Sequence, residues 1–117
     1  ASGDSDSAST GLIAVYVTVP TPEVGEEIAQ GLLAERLVAC VNVFPPGVSF
    51  FRWEGAVQKE EETALLAKTR ASLFSAVEAC VVSAHPYDTP CITAWPLTHV
   101  SEAYGQWVLD ETASDEG

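Results

Sequence analysis

Basic residues are scarce in this chain of 117 residues, which has 5 lysines and arginines against 17 aspartates and glutamates. The formal net charge is −12, and four of the acidic residues lie in residues 110–117. A nucleic-acid-binding protein needs a basic stripe or patch, which this sequence lacks, so nucleic acid is not a predicted partner. An acidic surface attracts cations in general, although solubility explains the same composition.

Cysteine is also sparse, with three residues and no C-x-x-C pair. This odd count predicts neither a disulfide framework nor a zinc ribbon, and it favours reduced thiols. No apolar run reaches the roughly 18 residues of a membrane span, so membrane insertion is not expected. The chain has no methionine. Because reduced thiols are favoured and no membrane span is predicted, we expect a cytoplasmic protein, or one in the stroma of a plastid or mitochondrion if a transit peptide has been removed.

Catalytic signatures are missing as well. The sequence has two histidines and contains no H-E-x-x-H, H-x-E, G-x-S-x-G, P-loop or dinucleotide-binding pattern. No nucleophile with a base beside it can be named, and we predict that the protein is not an enzyme. A domain of this length buries roughly two thirds of its unfolded surface, so no cofactor is expected to be required for folding.

The sequence does contain a regular alternation of strand and helix patterns. Residues 12–19 form an almost unbroken apolar run, which predicts a central strand. Thr21 and Pro22 then favour the start of an amphipathic helix. A second strand stretch, residues 38–53, is interrupted by prolines and glycine at residues 45–47, where we expect a bulge or a sharp bend.

The second half of the chain repeats the pattern. A turn at Glu54 and Gly55 leads into a third strand, a second helix over 71–84, a fourth strand and a last short helix after Ser101. The order β-α-β-β-α-β-α predicts an α+β, ferredoxin-like antiparallel sheet with both long helices on one face and an extra C-terminal helix. The opposite face would then lack a cover of its own, which suggests that other subunits cover it.

The predicted domain organisation is simple. We expect a disordered acidic tail over residues 1–11, a single domain over 12–110, and a polar C-terminal tail over 111–117. The apolar fraction of 47% supports one folded domain between the two tails.

Six stretches together resemble a known family. They are "VTVP" at 17–20, "AERLVACVNVFPPGVS" at 34–49, "RWEG" at 52–55, "EETALLAKTR" at 61–70, "HPYDTP" at 85–90 and "YGQWV" at 104–108. In this order they resemble the CutA family of divalent-cation tolerance proteins. The resemblance implies a ferredoxin-like homotrimer, similar in plan to the PII signalling proteins. It also implies a link to tolerance of copper and other divalent cations, and some members bind Cu(II).

One family feature is incomplete here. Some bacterial members have a cysteine in the first strand and two adjacent histidines before a Pro-Tyr pair, which have been considered as metal ligands. In this chain Val17 and Ala84 stand at two of those positions, and His85 is the one that matches. The resemblance therefore implies at most a reduced ligand set.

The candidate metal ligands are His85 and Cys40. His85 precedes Pro86, so one interpretation is structural: His85 ends a helix and complements its dipole. The alternative is functional, with the imidazole binding a metal. Cys40 lies within a predicted strand, where a buried thiol packs as a small hydrophobic group. The alternative for Cys40 is a soft ligand for copper.

A second candidate site is a cleft between subunits, lined by Trp53, Glu62, Lys68 and Tyr87. It is suggested by the similarity to PII-like trimers and by a lysine within an apolar strand, which needs a partner if it is buried. The alternative for each residue is packing or a contact with a neighbouring strand. Glu62 and Lys68 lie six residues apart, near 20 Å in one strand, and cannot pair with each other there.

Three functions remain in consideration. The favoured one is a non-catalytic homotrimer that binds divalent metal ions, copper in particular, with itself and divalent cations as partners. The alternatives are a structural trimer that anchors a partner protein, and a PII-like sensor of a small metabolite.

Overall fold

The computed structural model describes residues 10–114, within which five strands and three α-helices follow one another. The elements are β1 (Leu12–Val19), α1 (Pro22–Ala34), β2 (Cys40–Val43), β3 (Gly47–Trp53), β4 (Ala56–Arg70), α2 (Phe74–Ala84), β5 (Ile92–Pro96) and α3 (Glu102–Glu111). The predicted α+β order is confirmed, with the second strand stretch divided in two. Most of the two predicted tails lies outside the described residues.

Strand β1 lies in the middle of the sheet. The strand order is β2-β4-β1-β5, and every pairing is antiparallel. β1 pairs with β4 from Leu12 opposite Arg70 to Val19 opposite Thr63, and it pairs with β5 along its other edge. A strand with neighbours on both edges and cover on one face tolerates a nearly continuous apolar sequence. This explains the apolar run that predicted a central strand.

The interruption at residues 45–47 separates two strands that share one partner. β2 pairs with the last third of β4, and β3 pairs with its first half, from Gly47 opposite Glu62 to Trp53 opposite Ala56. The break predicted at the prolines is therefore confirmed, because proline cannot donate to a ladder. The turn between β3 and β4 has positive φ at Glu54 (50°) and Gly55 (82°), which is the type I′ geometry of a two-residue hairpin.

Helices α1 and α2 cover one face of the sheet and enclose the main core. Thr21 caps α1 by accepting from the Val24 N–H at 3.2 Å, as predicted. The main core joins one face of β1 and β4 to the inner faces of the two helices: Ile13, Val15, Val17, Val19, Ile28, Leu32, Leu65, Ala67, Val77 and Val81. Gly25 lets α1 approach closely, since a Cβ there would lie 2.9 Å from Leu65 Cδ2.

Helix α3 corrects one expectation about the other face. That face is not without cover of its own, because Val108 of α3 packs against Leu12 and Ala39 in a second, smaller core. The helix covers the end of the sheet where β1 begins. Toward the end of β1 this face is less covered, and Tyr16 and Thr18 are partly exposed.

The packed part of the chain extends past the predicted boundary at residue 110. Thr112 is buried, and its hydroxyl accepts from Arg70 Nε at 2.9 Å. The Ala113 N–H donates to the Arg36 carbonyl at 2.8 Å. At the other end the Gly11 carbonyl accepts from the Ala71 N–H, so residues 10 and 11 also belong to the fold.

Candidate functional site

A cleft of about 630 Å³ lies between the β3–β4 hairpin and the loop that follows α2. Its walls combine aromatic rings with carboxylates: Phe51, Trp53, Tyr87, Glu60, Glu62 and Asp88. The hairpin contributes side chains from one face of β4, since Glu60 and Glu62 are two residues apart. The volume falls within the roughly 300–1,000 Å³ of small-molecule sites.

Glu62 connects the two walls of the cleft. Ser49 Oγ on β3 donates to its Oε1 at 2.7 Å, and Tyr87 Oη on the loop donates to its Oε2 at 3.3 Å. Burial raises the pKa of Tyr87, and the carboxylate of Glu62 raises it further. The tyrosine therefore remains a protonated donor at neutral pH. A carboxylate has about four acceptor positions, so Glu62 retains capacity for a ligand.

His85 directly follows the last residue of α2, and its buried imidazole bonds to two backbone groups. Its backbone is extended (φ −88°, ψ 136°), as Pro86 after it favours. The Tyr87 N–H donates to Nδ1 at 3.1 Å, so Nε2 carries the proton and donates to the Thr18 carbonyl at 2.7 Å. Both ring nitrogens are thus engaged, and a metal ion could reach His85 only by displacing one of these partners. His85 as a metal ligand stays a prediction.

Cys40 lies at a different end of the sheet. It pairs with Lys68 across the strands, and its Sγ is 3.3 Å from Tyr104 Oη on α3. This contact, followed by burial, raises the pKa of Tyr104 to about 12. His85 bonds to Thr18 near the end of β1, whereas Lys68 lies opposite Ala14. The two candidate metal ligands are therefore not brought together within one chain.

The predicted cleft residues are only partly assembled. Trp53, Glu62 and Tyr87 line one cleft, while Lys68 lies opposite Ala14 near the start of β1, about 20 Å along β4 from Glu62. Within residues 10–114, no group of three or more histidine, cysteine, aspartate or glutamate side chains is placed to hold a metal ion.

Sequence reasoning missed several residues of the cleft. Glu60 is not among the predicted cleft residues, although its spacing of two from Glu62 places both on one face of β4. Asp88 and Cys91 also line the cleft, and only their proximity to Tyr87 along the chain could have indicated them. Ser49 had no sequence signal, because its contact with Glu62 depends on the hairpin register.

None of the helices within residues 10–114 is long and apolar enough to cross a membrane. All three cysteines are free thiols.

Comparison with known proteins identifies close similarity over the whole fold. The CutA1 divalent ion tolerance protein family model matches residues 13–111. The divalent-cation tolerance protein CutA of Archaeoglobus fulgidus is 43% identical over 98 residues, covering 84% of this chain and 94% of that protein. The chloroplastic CutA of Arabidopsis thaliana is 42% identical over 100 residues, covering 86% of this chain and 55% of that protein. The chain thus spans little more than half the length of this plant relative.

Solved structures of CutA1 proteins have the same fold as this chain. CutA1 from Oryza sativa has a TM-score of 0.87 and 39% identity, and the match covers 89% of this chain and 95% of that one. CutA1 from Thermus thermophilus has a TM-score of 0.85 and 38% identity, covering 87% of this chain and 99% of that one. The ferredoxin-like fold predicted from the sequence is therefore shared with these proteins, and the chain belongs to the CutA1 divalent ion tolerance protein family.

Proposed function

We propose that this protein is a non-catalytic homotrimer that contributes to divalent-metal tolerance by binding the cation in the cleft. The observation that carries the proposal is the cleft lining. Its ionisable side chains include Glu60, Glu62 and Asp88, and among residues 10–114 of one chain no lysine, arginine or histidine lines it. Such a surface concentrates cations and repels anions. Family membership supports the same role, because its relatives are named for divalent-cation tolerance.

The homotrimer is supported by exposed apolar groups on the hairpin. Val48, Phe50 and Val57 are 55%, 68% and 62% exposed, and they share one face of the β3–β4 ladder. Apolar groups this exposed and this close together are typical of subunit interfaces. Light scattering should give about three times the chain mass at micromolar concentration. Replacing Phe50 by Glu should lower that mass, and a monomeric wild-type protein would contradict the proposed assembly.

The carboxylates of the cleft are better placed than His85 to receive the ion. Glu60, Glu62 and Asp88 line one cleft without forming a three-ligand group among residues 10–114 of a single chain, whereas both nitrogens of His85 are bonded to backbone groups. Carboxylate oxygens serve many divalent ions, and Cu(II) accepts oxygen and nitrogen ligands. With few preformed ligands in one chain, we expect modest affinity, with copper favoured over zinc by its general binding order.

Calorimetric titration of Cu(II), Zn(II) and Mg(II) into metal-free protein tests the proposal. Glu62→Gln should weaken copper binding by about tenfold or more, because it removes a ligand and one negative charge. Glu27→Gln, on the exposed side of α1, makes the same charge change away from the cleft and should leave binding unchanged. His85→Ala should also leave it within about twofold.

The outcomes separate the possibilities. Equal copper affinities for Glu62→Gln and Glu27→Gln would overturn the cleft as the metal site. Loss of binding in His85→Ala alone would assign the metal to His85, as the reduced ligand set of the family implies. The absence of measurable heats with any of the three ions would contradict metal binding as a whole.

The compartment is proposed by similarity. The plant relatives from Arabidopsis thaliana and Oryza sativa are named as chloroplastic. We extend the organelle stroma to this chain, with the cytoplasm as the alternative. Three free thiols suit either reducing compartment.

A further inference from the structure

The β3–β4 hairpin extends beyond the sheet, and we call residues 47–62 the arm. β3 pairs with β4 from the turn back to Gly47, which lies opposite Glu62, whereas β1 pairs with β4 only from Thr63 onward. Within residues 10–114, the two strands of the arm therefore pair only with each other. A two-stranded ribbon is at best marginally stable by itself. The direction of the arm has to be fixed at its base, where Glu62 lies.

A chain of hydrogen bonds runs from the middle of the sheet to the base of the arm. The Thr18 carbonyl on β1 accepts from His85 Nε2 at 2.7 Å, and His85 Nδ1 accepts from the Tyr87 N–H at 3.1 Å. Tyr87 Oη donates to Glu62 Oε2 at 3.3 Å, and Ser49 Oγ donates to Glu62 Oε1 at 2.7 Å. The chain connects β1, the loop after α2 and both strands of the arm.

His85 is the best-anchored member of this chain. It is 8% exposed, and its ring cannot turn without losing the bond to Thr18 or the bond to Tyr87. Its ring also packs on that of Tyr87, with 4.7 Å between the ring centres. A side chain that is held by packing and hydrogen bonds positions its neighbours more precisely than a free loop does. Tyr87 is therefore held through its backbone and its ring, and its hydroxyl is directed at Glu62.

We propose that His85 is a positioning residue, which sets the direction of the arm through Tyr87 and Glu62 before subunits assemble. The inference rests on the proposed homotrimer, in which the apolar face of the arm is buried between subunits. An arm that is already oriented loses less conformational entropy on association than a mobile one. This role needs no metal ion and leaves the proposed metal ligands unchanged.

Substitutions of His85 test the role in assembly. His85→Ala removes both bonds of the ring, whereas the Oδ1 of asparagine in His85→Asn is as many bonds from Cβ as Nδ1 and can accept from the Tyr87 N–H. His99→Ala is the matched control, because His99 is exposed and its Nδ1 is bonded to the adjacent Thr98. Light scattering at a fixed, low urea concentration gives the protein concentration at which half of the trimer dissociates. We expect that concentration to rise about tenfold in His85→Ala, to return to within about threefold of wild type in His85→Asn, and to stay constant in His99→Ala.

A double-mutant cycle shows whether His85 acts through Tyr87. Tyr87→Phe removes the bond to Glu62 and should by itself raise the dissociation concentration severalfold, even if His85→Ala does not fold. Tyr104→Phe, whose hydroxyl contacts Cys40 away from the arm, is its control. In the Tyr87→Phe background, His85→Ala should add no more than about twofold. The full effect of His85→Ala in both backgrounds would confine its role to local stability and overturn the inference.

Hydrogen exchange measured by mass spectrometry follows the arm directly, in a trimer or in a monomer. Amides of residues 47–62 should exchange several times faster in His85→Ala than in wild type, while those of α1 should not change. Equal exchange of the arm in His85→Ala and His99→Ala would overturn the inference in either state. A monomeric wild-type protein whose arm exchanges faster in His85→Ala would instead overturn only the proposed homotrimer.

Discussion

At the scale of single residues, the contacts that decide roles come from distant parts of the chain. Pro86 predicted that His85 ends a helix, and its extended backbone agrees. No local pattern could predict that Thr18, 67 residues earlier, would supply its Nε2 acceptor. The sequence therefore indicates which residues are candidates for a role, but their hydrogen-bond partners are seen only in the folded chain.

Two buried threonines on β4 provide a residue-scale prediction. Thr63 and Thr69 are both fully buried, yet Thr69 Oγ1 donates to the Leu37 carbonyl at 2.6 Å, while Thr63 Oγ1 has no hydrogen-bond partner among the described residues. A buried hydroxyl without a partner is destabilising. Thr63→Val should therefore raise the free energy of unfolding by roughly 1 kcal/mol, whereas Thr69→Val should lower it by roughly 1–3 kcal/mol.

Urea unfolding at one fixed protein concentration checks both signs, because the stability of an oligomer depends on concentration. The two variants make the same chemical change on the same face of the same strand. Equal destabilisation by both would show that the Thr63 hydroxyl is satisfied in solution.

At the scale of elements, α3 shows what sequence periodicity predicts and what it leaves open. Its bounds follow from Ser101 and from the helical spacing of Tyr104, Trp107 and Val108. The position of α3 against the sheet could not be predicted in the same way. The last turn of α3 contains no basic residue, so the groups that bond to its C-terminal carbonyls come from other parts of the chain. Arg70 Nη2 donates to the Leu109 carbonyl at 2.7 Å, and Arg36 Nη2 donates to the Asp110 carbonyl at 2.8 Å. Two cations from elsewhere in the chain complement this helix end.

Arg70→Met tests the docking of α3. Methionine keeps an apolar stem but removes two charged donors, to Leu109 and Thr112, so we expect a loss of roughly 1–3 kcal/mol of unfolding free energy. Arg36→Met removes one exposed bond and should cost less. Because Tyr104 and Trp107 lie on α3, near-UV circular dichroism should also change in Arg70→Met. A loss no larger than that of Arg36→Met would contradict the proposed role of Arg70.

Alkaline pH tests the contact between α3 and β2. The pKa of Tyr104 is raised to about 12 in the folded protein, above its ordinary value near 10. A raised pKa means that the folded state holds the proton more tightly, so this contribution to stability is complete below pH about 10 and is lost as pH rises toward about 12. In Tyr104→Phe, unfolding free energy should fall less steeply over that window. Identical slopes for the two proteins would show that the Cys40–Tyr104 contact does not persist in solution.

The division of the second strand shows the same limit for β elements. The sequence placed a break at residues 45–47, but a bend and two separate strands have the same local signal. The choice depends on β4, whose 15 residues are long enough to pair with β2 and β3 in turn. The cleft depends on that choice, because β3 carries Ser49 and Trp53 to one side of Glu62.

At the scale of the whole molecule, the acidic side chains far outnumber the basic ones. The chain has a net charge of −12, and two of its five basic residues, Arg36 and Arg70, are engaged at the end of α3. Assembly into the proposed trimer triples that charge and brings the acidic surfaces of three chains together. Like charges of this magnitude repel and destabilise the compact state.

Monovalent salt should therefore stabilise the protein. Raising NaCl from about 0.01 M to about 0.1 M shortens the Debye length from about 30 Å to about 10 Å, which screens repulsion between exposed carboxylates. We expect the urea midpoint to rise and the trimer to persist to lower protein concentration, measured by unfolding curves and light scattering. KCl should act as NaCl does, because screening depends on ionic strength rather than on a bound ion. A midpoint that stays constant or falls over this range would show that ion pairs, not repulsion, dominate the surface of the assembled protein.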